Sequence, residues 1–175
     1  MKRVLLVLAA VALLAGSCAE APAETDAGAG AVAAVMAAAL QRLVAQDNTF
    51  GEGHTFAALL VLTSLDPAAG TARSGSGPGR ALTAAERIAI AESLAGLGTL
   101  RWIDDADEWR TEGLMPVIEG SAIVGVGEPR FDPEGALVPV SLWCGGVCGI
   151  WLTYRLAVQD GVWAVVGTEG DFFIS

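Results

Sequence analysis

The apolar positions run first at helical and later at strand spacing. Residues 31 to 46, AVAAVMAAALQRLVAQ, set Val32, Val35, Met36, Leu40 and Leu43 at helical intervals in an alanine-rich run, which predicts an amphipathic helix lying on a sheet. Gln41 and Arg42 break the run before it reaches the roughly 20 residues of a membrane span. Thr55 to Leu65, TFAALLVLTSL, is a short apolar run stopped by Asp66-Pro67, as expected of a buried strand. The glycine-rich stretch from Asp66 to Ala81 has little to bury and reads as a mobile loop; its GSGPG lacks a following lysine and misses the phosphate-binding spacings. Thr83-Ala84-Ala85-Glu86 fits a capping box and opens a second helix, with Ile90, Leu94 and Leu97 on one side and Gly96 and Gly98 as its stop. A short strand, Thr99 to Ile103, follows.

From Ser121 the period becomes two. AIVGVGEP and ALVPVSLW flank Asp132-Pro133-Glu134-Gly135, which suits a type I turn. GIWLTYRLAVQ and VWAVVGTEG flank Asp160-Gly161, the pair favoured in a type I′ hairpin. With Gln159 opposite Val162, one face collects Ile150, Leu152, Tyr154, Leu156 and Val158 with Trp163 and Val165, and should be core. The other carries Trp151, Thr153, Arg155, Ala157 and Gln159, and its Trp151, Thr153 and Arg155 form the candidate ligand face. The expected fold is α+β, two helices packed on a curved, mostly antiparallel β-sheet of cystatin-like or NTF2-like shape.

The N-terminal residues alter the picture. Lys2 and Arg3, an apolar run from Val4 to Leu14 and then small residues have the layout of a secretory signal, over 1–17. Leu14 to Cys18, LAGSC, resembles the lipobox of bacterial lipoproteins, although Ala15 stands where Leu is commonest; the resemblance implies a lipid anchor at Cys18. Ordinary cleavage after Ala21-Pro22-Ala23 is the alternative, giving a free secreted protein. Residues 18–30 mix Pro, Gly and acids and read as a flexible tether reaching roughly 20 Å, ahead of a single domain over 31–175. Without its leader the chain has eight arginines against twenty acids, a net charge of −12. That balance disfavours nucleic acid and anionic lipid and favours solubility or a basic partner. Lys2 is the only lysine, so a P-loop lysine, a Schiff base and a pyridoxal phosphate anchor are excluded from the remainder.

In an oxidising compartment Cys144 and Cys148 read as a disulfide, with glycines allowing the tight bend of CGGVC. A redox centre normally has two intervening residues and a helix N-terminus. Zinc would lack ligands beyond His54 and a carboxylate. The pattern WCGG-x-CG-x-W-x-TY with a later DG-x-W resembles a segment of small uncharacterised secreted proteins and lipoproteins of bacteria; the resemblance implies a recurring sheet module and no known activity.

His54 is the only histidine, so any Ser-His mechanism runs through it, and Ser64, Ser121 and Ser141 lack a G-x-S-x-G elbow. In an EF-hand register from Asp105, Trp109, Arg110 and Pro116 fall where Asp or Asn, Gly and Glu are required, so the acidic run 104–108 fails as a calcium loop. Trp109 and Trp151 are candidates for stacking on a ligand. No catalytic, cofactor or metal set emerges. The expected function is a non-enzymatic envelope lipoprotein module that binds a protein or small ligand through its sheet and meets the membrane through its lipid. A secreted hydrolase using His54 or a carboxylate pair is the alternative.

Overall fold

The computed structural model describes residues 24–71 and 79–175. The leader, Cys18 and most of the expected tether lie outside them, as do residues 72–78 of the glycine-rich loop. The first helix, α1, runs Glu24–Ala45 and so starts inside the expected tether, because the alanine-rich composition carries the helix back past Ala31. By length and composition Gly28–Ala45 is apolar enough to cross a membrane, with mean hydropathy 1.5. Within the fold that apolarity is used on the sheet, where Val35, Met36, Ala39, Leu40, Leu43 and Val44 are fully buried.

The remaining elements are β1 (Ala58–Leu62), α2 (Ala84–Ser93), β2 (Thr99–Ile103), a 3₁₀ turn at Asp107–Trp109, β3 (Ala122–Val126), β4 (Arg130–Asp132), β5 (Gly135–Gly145), β6 (Cys148–Gln159) and β7 (Val162–Ile174). They form a fold of the α+β class around one open sheet in the order β2-β1-β3-β5-β6-β7, with β4 paired to β5. The expected antiparallel half is present from β3 to β7. The other end is parallel, β1 pairing with both β2 and β3, since the helical segment between β1 and β2 makes a crossover and two strands joined that way point the same way.

Helix-facing residues of the sheet, among them Leu59, Val124, Val140, Leu142, Leu152 and Leu156, join α1 and Ile90 and Leu94 in the main core. Each large side chain so buried contributes about 1.5–3 kcal/mol. Val158 was expected there and is 57 % exposed, while Trp163 and Val165 are only half-buried. The β5–β6 pairing ends at Ala136↔Leu156, so the hairpin beyond it is two strands wide and lacks cover. Its turn is as expected, with Asp160 and Gly161 both at positive φ (51° and 81°).

The capping box is formed: Glu86 N donates to Thr83 Oγ1 at 3.3 Å and Thr83 N to Glu86 Oε2 at 2.7 Å. Arg80 also donates to both oxygens of Glu86, at 2.8 and 2.9 Å. The glycine-rich stretch is an excursion closed at its base by the Ser64↔Ala81 bridge. Residues 66–71 of it are a packed turn rather than bare linker. Asp66 accepts from Ala68 N at 2.8 Å and from the Ser141 hydroxyl at 2.5 Å, and Ala69 is buried.

Candidate functional site

The cross-strand register puts Leu137, Pro139, Ser141 and Trp143 on the same face as Arg155, Thr153, Trp151 and Gly149, away from the helices. This second face is covered at one end by the segment after β2: Ile103, Ile123 and Trp143 form a smaller core with half-buried Trp109, Ile118 and Trp151. The Arg110 guanidinium lies over the Trp143 ring at 4.8 Å. Further along, the Asp66-anchored turn lays Gly70 on Pro139 and Thr153; a Cβ at Gly70 would stand 2.8 Å from Thr153 Oγ1.

Between this turn and β7 a cleft of about 370 Å³ remains. Thr153 and Leu137 line it from the sheet, Arg130 from β4, and Glu169, Asp171 and Phe173 from β7. The β7 wall is shaped by a bulge: Thr153 pairs with Glu169 and Trp151 with Phe173, so four steps on β7 match two on β6. Gly170, at φ 76°, takes the left-handed conformation that this detour needs. Arg155 ties the walls together, donating to Asp132 at 2.6 Å and to Glu169. Its guanidinium, helped by the N–H groups of Glu134 and Gly135, holds the Asp132 carboxyl below the usual carboxylate range.

Of the candidate ligand face, Thr153 lines the cleft and Arg155 acts as its strut. Trp151 is half-buried against the smaller core, with its ring over Gly149, where a Cβ would meet Cη2 at 2.4 Å. Trp109 belongs to the same core. The two stacking candidates are thus packing residues. Asp171 and Phe173 are not legible in the linear pattern because the bulge that brings β7 to the cleft leaves only a glycine as its mark, and Arg130 is not because β4 is three residues long, too short to show a period.

His54 stacks on Phe50 with ring centroids 4.2 Å apart and meets the Phe56 edge at 4.6 Å. Among the described residues it has no hydrogen-bonded hydroxyl or carboxylate, and Ser141 bonds to Asp66 instead. The acidic run is taken up by structural bonds: Asp104 accepts from Thr63 Oγ1 across the neighbouring strand ends, while Asp105 accepts from Asp107 N and Asp107 from Arg110 within the local turn. Among the described residues no group of three His, Cys, Asp or Glu is placed to hold a metal.

Cys144 and Cys148 stand at disulfide distance, Cα atoms 5.1 Å apart, at the β5–β6 turn. Strands flank them, and Thr49 Oγ1 lies 3.0 Å from Cys148 Sγ. A second polar cluster joins helix to sheet: the Tyr154 hydroxyl donates to Asp47 Oδ2 at 2.7 Å, and Arg42 Nε donates to the same oxygen at 2.8 Å. Burial, then the Asp47 carboxylate, pushes the Tyr154 phenol well above its ordinary value.

Compared with protein-family models, with curated proteins and with solved structures, the chain matches none.

Proposed function

We propose that the chain is a non-enzymatic module of the bacterial cell envelope, held at the membrane by lipid on Cys18, braced by a Cys144–Cys148 disulfide, and taking a small ligand in the cleft of its second sheet face. The observation that supports it most is the cleft: its walls are joined by the Arg155 ion pairs, yet charged groups of β4 and β7 still face it. Concavity, a few polar groups and apolar lining are the usual properties of a small-ligand site. The resemblance of the Trp143-to-Trp163 pattern and the LAGSC segment to those of small bacterial secreted proteins and lipoproteins supports the same reading.

The binding part is tested by adding a mixed set of polar small molecules to ¹⁵N-labelled protein and following amide shifts. Shifts confined to Leu137, Thr153 and Phe173 are expected; a surface responding elsewhere or nowhere refutes the cleft as the site. Fractionation tests the anchor. Cys18→Ala should move the protein from the membrane to the soluble fraction, and a wild-type protein that is already soluble and carries no lipid mass removes the anchor from the proposal.

A further inference from the structure

We infer that the cleft selects a zwitterion carrying a free ammonium and a free carboxylate, of amino-acid or dipeptide class. This inference rests on the cleft being the binding site. Of the charged side chains around it, Asp132 and Glu169 share the single guanidinium of Arg155, a triad whose net charge is −1 by its formal charges. Arg130 and Asp171 remain, and among the described residues neither makes an ion pair or a side-chain hydrogen bond. One is on β4 and the other on the bulge of β7, so among the described residues the cleft presents a guanidinium outside any ion pair on one wall and, beside the net negative Arg155 triad, a carboxylate outside any ion pair on another.

A simple anion would gain from Arg130 and be repelled by Asp171, and a simple cation would meet the reverse. A ligand with both charges gains from both groups, whereas a ligand with one of them meets an attraction on one wall and a repulsion on the other, and specificity is that difference. Thr153 adds a hydroxyl that both donates and accepts, and Leu137 and Phe173 offer apolar surface for a side chain. The chain's net negative charge attracts the ammonium of a neutral zwitterion and repels its carboxylate, and the two nearly cancel, so recognition falls to these local groups.

The test is titration of purified, ¹⁵N-labelled full-length protein with glycyl-leucine, its N-acetyl derivative and its C-terminal amide. The zwitterion should shift Leu137, Thr153 and Phe173 amides and saturate near or below about 1 mM, with each blocked derivative about tenfold weaker. Asp171→Asn should weaken glycyl-leucine about tenfold and abolish discrimination against the acetylated form. Arg130→Gln should abolish discrimination against the amide. Both side chains are exposed, and unchanged melting temperatures show that the variants are folded.

Blocked derivatives that bind as well as the zwitterion overturn the inference. So does absence of dipeptide binding while other small molecules still shift the cleft residues, an outcome that leaves the cleft as the site. If neither the dipeptides nor the mixed set perturbs these residues, both readings fall.

Discussion

Glu86 is 3 % exposed and its carboxylate is asked to do two things at once. It accepts from Thr83 N to cap α2 and accepts twice from Arg80, which also reaches Glu128 at 3.1 Å. Glu86→Ala removes both. Loss of the cap costs about 1 kcal/mol. Loss of charge-assisted bonds to Arg80 adds about 1.5 kcal/mol, the low end of the range, because that guanidinium is 40 % exposed and keeps Glu128 and water. The total of about 2.5 kcal/mol corresponds to a fall in melting temperature of roughly 5–10 °C for a domain of this size. Glu86→Gln keeps an acceptor for Thr83 N and loses only the ion pair, so about 1–1.5 kcal/mol is expected from urea unfolding at pH 7.

Acid separates the contributions further. Burial alone would raise the Glu86 pKa, but the Arg80 and Thr83 hydrogen bonds outweigh it, and the folded value lies below the ordinary one. A carboxylate depressed in the fold stabilises it above the unfolded pKa of about 4.3, and loses that stabilisation as pH falls through the folded value. The gap between wild type and Glu86→Gln should therefore be full at pH 6 and close at lower pH. Equal stability of the two at pH 7, or a gap that persists unchanged to pH 2.5, refutes this account of the buried carboxylate.

Tyr154 is the only tyrosine in the chain, so any phenolate absorbance that grows in near 295 nm over the tryptophan background comes from it. Its raised phenol pKa predicts no phenolate in folded protein around pH 10–11, with ionisation arriving together with alkaline unfolding; stability from this group is complete below about pH 10 and lost above it. A phenolate appearing in folded protein at pH 10 contradicts the buried bond to Asp47, and Tyr154→Phe should cost about 1–2 kcal/mol in urea. Reduction, or Cys144→Ser with Cys148→Ser, should lower stability by about 2 kcal/mol from loop entropy, with no loss if the native thiols alkylate freely without reductant. Gly135→Ala should be among the most damaging single changes, roughly 3 kcal/mol or failure to fold, because at φ 144° its Cβ would stand 2.0 Å from the Leu156 carbonyl oxygen; a variant that melts like wild type excludes the close β5–β6 approach.

Local chemistry was readable from sequence wherever its partners lie a few residues apart. Thr83 and Glu86 are three residues apart, and the capping box could be written down before any coordinates. Asp160-Gly161 set the β6–β7 hairpin and, through period two, which residues share a face. Cys144 and Cys148 could be paired across a four-residue separation. Helix and strand types followed from the spacing of their apolar residues, and the helix-facing side of β6 as far as Leu156 followed from parity. What lay beyond was decided by contacts between distant residues. The direction of β1 relative to β2 and β3 depends on where α2 packs, and pattern is blind to that. Val158 was placed in the core by parity and exposed by the end of β5, while Trp151 was placed on an open face that residues 104–120 cover. Tyr154 to Asp47 spans 107 residues, Ser141 to Asp66 spans 75, and the cleft exists only where a turn after β1, the short β4 and a bulged β7 meet over one stretch of sheet. Side-chain period specifies a face; only the packing of whole elements specifies what covers it, and so where a surface is left for a ligand.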